Sequence, residues 1–346
     1  MKNILILTKE IYNHNTKAFL FFWSEIKMLK KNIFLPIFIL IIISSCKAQK
    51  INQKEKSPDL ENQKKILNEP EKLSIFKKAY PDVEFISEWQ EDKNDWKISI
   101  IVENRKTELY WNNGSLIPES ELSEKEKYWT LLYNYDYRKN LEDPADFSKE
   151  QIEAMKNFGS DERRKNDKGT PMFFFDAIYD SNSREKLESH IISIIFLGFK
   201  VNVHQRMKNP LQKVEEKINE LAETDSEISD FLKSLGKNEG YFWRVIANTN
   251  RKSFHSLGIA IDIQPKYYGR KEVYWSWAKD KSPDNWMLTP LKDRWMPPQK
   301  IIDIFEDEGF IWGGKWAIWD NMHFEYHPEL ILNAKEKSEN LYSSLS

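Results

Sequence analysis

One cysteine in 346 residues, Cys46, leaves the remainder of the chain unable to form an internal disulfide. The stability of the body beyond it, about 300 residues, must come from a buried core. A chain of that length can build one as a single large domain or as two ordinary ones. A basic excess is missing too. Lys and Arg number 52 against 54 Asp and Glu, a net charge of −2, which excludes a surface suited to nucleic acid. The apolar run at 33–43 falls short of the roughly 20 residues a membrane-spanning helix needs. Internal repeats are absent, and nothing indicates an oligomer, so a monomer is expected. Histidine is scarce, with six in the chain, and the setting of two of them is therefore informative.

The N-terminus carries a basic Lys30-Lys31, the apolar run and two serines before Cys46, the layout of a secretory signal. Ile43-Ser44-Ser45-Cys46 resembles a bacterial lipobox, which implies lipidation of Cys46 and a membrane-anchored, exported protein on the periplasmic or cell-surface side. Residues 1–27 make the leader unusually long, and Met28 is the expected true start.

Two short stretches near the C-terminal end carry the chemistry: S-F-H-S-L-G-I-A-I-D at 253–262 and D-N-M-H-F-E at 320–325. The first alternates as a strand does, so Ile259, Ile261 and Ile263 face a core while Gly258, Ala260 and Asp262 share the other face. Two nearly absent side chains beside a carboxylate leave room for a metal and a substrate. His255 lies just before, on a turn that Gly258 helps to shape. In the second stretch His323 and Glu325 share one face, Phe324 and Tyr326 the other, and Asp320 lies on the preceding turn. A catalytic zinc takes three protein ligands and keeps a position open for water. His255, Asp262 and His323 fit as ligands, with Asp320 as the base; residue types alone also admit manganese or another divalent ion.

Ser253, His255, Gly258, Ala260 and Asp262 together match S-x-H-x-x-G-x-A-x-D, and Asp320 and His323 match an acid placed three residues before a ligand histidine. In these motifs the chain resembles the M15 zinc peptidases of bacterial cell walls, over roughly residues 200–335. The resemblance implies an α+β fold, a small antiparallel sheet flanked by helices, and hydrolysis of peptidoglycan stem peptides with zinc as cofactor. The G-F-x-W-G-G run at 309–314 and the D-x-x-H-F-E form look most like the L-alanyl-D-glutamate endopeptidase branch. A D-alanyl-D-alanine carboxypeptidase is the alternative, and an inert, lipid-anchored wall-binding protein is a third reading. Related enzymes place an arginine upstream of the first ligand; Arg244 is the candidate here and would stabilise the oxyanion. Ser253 and Glu325 are expected to support the ligands.

The expected organisation is a leader and signal at 1–46, a polar tether at 47–75, an extension at 76–200 and the peptidase domain at 201–335. The extension begins with strands at Trp96–Val102 and Thr107–Trp111 and a turn at Asn113-Gly114. Capping boxes at Ser123/Glu126 and Ser148/Gln151 predict helices, and Asn182/Glu185 opens another that runs through Ile191–Ile195 to Gly198. The extension is read as packed on the catalytic core, with a wall-binding or substrate-positioning module as the alternative. One long helix is predicted at about 210–235, and another begins at Pro297-Pro298 and ends near Gly309. The aromatics at 267–295 are expected to pack as local core, with a place in the cleft as the alternative.

Overall fold

The computed structural model describes residues 68–345, apart from Ala247, Asn248 and Asn250. Met28, Cys46 and the tether up to residue 67 lie outside the described residues. Among the described residues no helix is long and apolar enough to cross a membrane.

Helix α1 (Leu73–Ala79) starts within the stretch assigned to the tether, and its Leu73, Ile75 and Phe76 are buried. Strands β1 (Glu84–Gln90), β2 (Asp95–Val102) and β3 (Arg105–Tyr110) form an antiparallel sheet in that order. Ile98, Ile100 and Val102 of β2 are buried at the period of two that a half-buried strand requires. Asn113 and Gly114 do turn the chain, with φ of 54° and 87°, but the hairpin they close is minimal, a single bridge between Tyr110 and Ile117.

Four short helices follow: α2 (Lys149–Phe158), α3 (Asp161–Asn166), α4 (Phe173–Tyr179) and α5 (Arg184–Glu188). The Ser148/Gln151 box forms in both directions, at 3.2 and 2.7 Å. The Ser123/Glu126 box does not. Those residues lie inside a 3₁₀ run, Glu119–Lys127, whose Glu124 leaves helical geometry. The helix predicted from Asn182 is capped one residue later, by Ser183, and ends at Glu188. Ile191–Phe196 is instead strand β4, paired with β5 (Phe199–His204). A run of β-branched isoleucines fits a pleated surface better than a helix, and Leu197-Gly198, both at positive φ, forms a two-residue hairpin turn.

The long helix predicted at 210–235 is two, α6 (Lys208–Ala222) and α7 (Ser226–Ser234). Asp225 divides them by accepting hydrogen bonds from the backbone of Glu227 and Ile228 at 3.0 and 3.4 Å. Then come β6 (Leu235–Glu239), β7 (Ala260–Pro265), α8 (Trp275–Lys281), α9 (Gln299–Asp307), β8 (Phe310–Trp312), β9 (His323–Tyr326) and α10 (Pro328–Leu345). Helix α9 begins after Pro298 and closes before Gly309, as the sequence predicts.

The last four strands make an antiparallel sheet in the order β6-β7-β9-β8, and the fold is α+β. One sheet face is apolar. Ile261 and Ile263 lie on it, and Phe324 stacks on Phe305 of α9 at 4.1 Å between ring centres. The same continuous core takes in Phe76, Ile98 and Phe174. Residues from the extension and from the sheet therefore share one apolar interior.

Candidate metal centre

The first ligand is positioned by a one-turn 3₁₀ segment, Phe254–Leu257. Ser253 caps it, accepting a hydrogen bond from the His255 backbone at 3.3 Å. Gly258 then takes a left-handed conformation, φ 69°, that swings the chain into β7. A Cβ at that position would lie 2.6 Å from the His204 backbone nitrogen, so both the conformation and the space require glycine.

Strand register supplies the other two candidate ligands. Asp262 of β7 stands directly opposite His323 of β9, and Ala260 opposite Glu325. Facing residues on one side of an antiparallel pair bring their side chains within about 5 Å. His255 Nε2 lies 3.2 Å from Asp262 Oδ1 and 3.1 Å from His323 Nδ1, and His323 Nδ1 lies 2.8 Å from the same carboxylate oxygen. All three side chains are buried.

Partners on the far side of each ring fix which nitrogen faces inward. His255 Nδ1 donates to the Gly240 carbonyl at 2.6 Å, leaving Nε2 with its lone pair toward the centre. His323 Nε2 donates to Glu325 at 2.8 Å, leaving Nδ1 likewise. Two imidazole lone pairs and a carboxylate oxygen thus converge on one point, and a cation or a proton has to reconcile them. Burial alone would raise the Asp262 carboxyl, yet the adjacent His255 and His323 hold it well below the usual carboxylate range. Burial likewise opposes charge on His323, but hydrogen bonds to Asp262 and Glu325 carry it well above an ordinary histidine.

Asp320 sits on the turn before β9. Its backbone nitrogen donates to the Gly313 carbonyl at 3.0 Å, and its carbonyl accepts from the His323 backbone at 3.3 Å. Gly313 is needed there because a Cβ would lie 2.7 Å from the Asp320 carbonyl oxygen. Asp320 Oδ1 is buried without a hydrogen-bond partner. Burial, reinforced by the charges of Asp262 and Glu325 and opposed by His323, pushes the carboxyl up to about 7. A carboxyl with a free oxygen and a neutral-range pKa is suited to moving a proton.

Arg244 is fixed through its backbone. Its nitrogen donates to Ser256 Oγ at 2.8 Å, and its carbonyl accepts from that hydroxyl and from the Ser253 nitrogen. The side chain is exposed and makes no hydrogen bond or ion pair among the described residues. Burial and Asp320 raise the Tyr274 hydroxyl, while the charges of Arg164 and, to a smaller extent, Arg244 lower it.

Trp275, Trp286 and Trp295 are buried as local core, whereas Tyr267 is 88% exposed and Trp277 46%. Trp277 meets the rings of Tyr268 and Tyr274 edge-on at 6.4 and 6.0 Å, and Tyr274 bridges to Asp320 through the backbone. The aromatic segment thus provides both core and a rim beside the site.

Two contributors were not singled out from sequence: Gly240, whose carbonyl accepts from His255, and Trp316, whose ring lies 5.5 Å from His323. His327, close to the second motif in the sequence, meets Glu325 at 3.2 Å.

Comparison with known proteins gives two matches. Residues 247–326 match the model of an M15 peptidase family described as D-alanyl-D-alanine carboxypeptidase. Residues 72–133 match the model of a domain of unknown function. No curated protein matches, and no solved structure does. Arg244 falls just outside the peptidase match, while His255, Asp262, Asp320 and His323 all lie within it. Over residues 247–326, this chain is similar to the M15 peptidases, which supports a peptidase acting on peptidoglycan.

Proposed function

We propose that the protein is a zinc-dependent peptidase that cuts peptidoglycan stem peptides. One observation carries the reading: two imidazole nitrogens and a carboxylate oxygen converge beside Asp320, whose buried Oδ1 has no partner among the described residues. An N, N, O donor set is one that catalytic zinc accepts. When bound, zinc supplies Lewis acidity, polarising a scissile carbonyl and bringing the pKa of water from near 16 to about 7.

The chain's own residues do the rest. His255, Asp262 and His323 would hold the ion. Asp320 takes a proton from the attacking water and returns it to the leaving amine, a task that favours a pKa near the working pH. Arg244 is the candidate to stabilise the negative charge that develops on the carbonyl oxygen. Trp277, Tyr268 and Tyr274 offer aromatic faces against which the substrate can lie.

For the bond cut, the Asp320-x-x-His323 form and the Trp312-Gly313-Gly314 run favour an L-alanyl-D-glutamate-type endopeptidase. The description of the matching family favours the second reading, a D-alanyl-D-alanine carboxypeptidase. Cys46 in its lipobox-like setting supports an exported protein anchored to a membrane, where peptidoglycan is within reach. Digestion of purified muropeptides, with products weighed by mass spectrometry, separates the two specificities. Release of terminal D-alanine would sink the endopeptidase reading, and no cleavage with zinc bound would sink both.

A further inference from the structure

We propose that the N-terminal extension is part of the metal centre: a buried run of side chains, Glu325, His327, Glu329 and Tyr80, links the ligand His323 to the extension and fixes that ligand's ring. The inference rests on reading His255, Asp262 and His323 as a metal site.

The run is continuous. His323 Nε2 meets Glu325 Oε1 at 2.8 Å, and Glu325 Oε2 meets His327 Nε2 at 3.2 Å. His327 Nδ1 meets Glu329 Oε1 at 2.7 Å, and the Tyr80 hydroxyl donates to Glu329 Oε2 at 2.8 Å. Each carboxylate gives one oxygen to each neighbour. Carboxylates only accept, so both His327 nitrogens donate, and every group in the run has its orientation set by the next.

The surroundings hold the run in place. Glu325, His327, Glu329 and Tyr80 are 7%, 3%, 0% and 3% exposed. The His327 ring is met edge-on by Phe254, the neighbour of the ligand His255, and by Phe175 of α4, at 4.7 and 5.3 Å. Tyr80 and Phe175 both belong to the extension, and α1, which ends beside Tyr80, packs on α10, which carries Glu329.

Burying so many polar and ionisable groups is expensive, and an apolar set of similar volume is often neutral or stabilising. Orientation of a metal-ligating histidine by a carboxylate, itself held by further hydrogen bonds, is a role that such a run can fill. Glu325 lies next to the ligand. His327, Glu329 and Tyr80 are positioning residues that act through it; all three lie outside the peptidase match at 247–326, and Tyr80 comes from the extension.

The test uses the full chain, stripped of metal, with zinc affinity measured by competition against a chromogenic chelator. His327→Gln should weaken zinc binding by about 10- to 100-fold, and Tyr80→Phe, which removes one oxygen, by a few-fold. The cobalt-loaded Tyr80→Phe protein should show a shifted visible spectrum, because the His323 ring is no longer held in one orientation. Phe76→Leu, a core change in the same extension, should lower the melting temperature and leave zinc affinity unchanged. If His327→Gln does not fold, Tyr80→Phe still decides the matter. Wild-type zinc affinity and cobalt spectrum in Tyr80→Phe would overturn the inference and leave the metal site standing. A wild-type protein that binds no zinc would overturn both.

Discussion

His255 and His323 present different ring nitrogens to the shared centre, Nε2 from one and Nδ1 from the other. The Gly240 carbonyl and the Glu325 carboxylate make that choice. Because His323 is held well above the usual histidine range between two carboxylates, a metal ion must displace a proton there. Zinc titrations of the metal-free protein near pH 7, run calorimetrically in buffers of differing ionisation enthalpy, should show about one proton released per ion. Asp320 is predicted to behave differently from the ligands. Asp320→Asn should retain zinc and lose activity by about 10²- to 10⁴-fold, the range for a positioned acid–base group. Loss of zinc in that variant would reassign Asp320 as a ligand.

His327 gives a prediction about pH. Burial lowers its pKa, but Glu329 and Glu325 outweigh burial and raise it to about 9, above the roughly 6.5 of an unfolded histidine. A raised base binds more protons folded than unfolded between those values. Its stabilising contribution is therefore complete below about pH 6.5 and is lost as pH rises toward 9. Denaturant unfolding of the metal-free protein at pH 6.5 and 9 should show falling stability, and His327→Gln should flatten the fall. An equal slope in the variant would remove His327 as its source.

At the scale of elements, caps and turns separate what periodicity alone leaves joined. Apolar spacing runs on through 211–232, yet Asp225 divides the segment into two helices because its side chain satisfies backbone donors of the second. The isoleucines at 191–195 form a strand because a two-residue turn at Leu197-Gly198 gives them a partner in β5. Ser148 is exposed, and its side chain caps α2 by accepting from the Gln151 backbone at 3.2 Å. Ser148→Ala should cost about 0.5–2 kcal/mol, read from the denaturant midpoint at constant slope. Gly258→Ala should cost more than about 1 kcal/mol, since it combines a left-handed backbone with a close approach to His204. A melting temperature equal to wild type would show that the turn relaxes.

Across the whole molecule, the extension and the sheet share an interior. Tyr135 inserts between α9 and β8, its hydroxyl donating to the buried Glu306 at 2.6 Å and accepting from the Trp312 backbone at 2.8 Å. Lys315, in the loop beside His323, is tied to the same Glu306 at 2.5 Å. Removing the extension would take Phe76, Ile98 and Phe174 out of the shared core, expose the apolar residues they cover, and leave Glu306 without Tyr135. Residues 201–346 expressed alone are predicted to be insoluble or to lack a cooperative unfolding transition. A soluble fragment with a sharp transition would show that the peptidase region folds by itself.

The three candidate ligands were legible from sequence because the pattern that marks them is local. Alternation around Asp262 sets a face, Gly258 sets a turn, and the rarity of histidine makes two such settings informative. The motifs also carried the resemblance that implied the α+β class, and they place Asp320 just ahead of His323. Glu325, two residues from His323 on one strand, was legible as its partner, but only the tertiary structure brought the Gly240 carbonyl at the end of β6 to His255 and so decided which of its nitrogens faces the centre. It alone brought Tyr80 within reach of Glu329, 249 residues away, a contact that no local pattern encodes. Local periodicity reports which face of an element is buried; what that face meets is set by packing between elements distant in the chain.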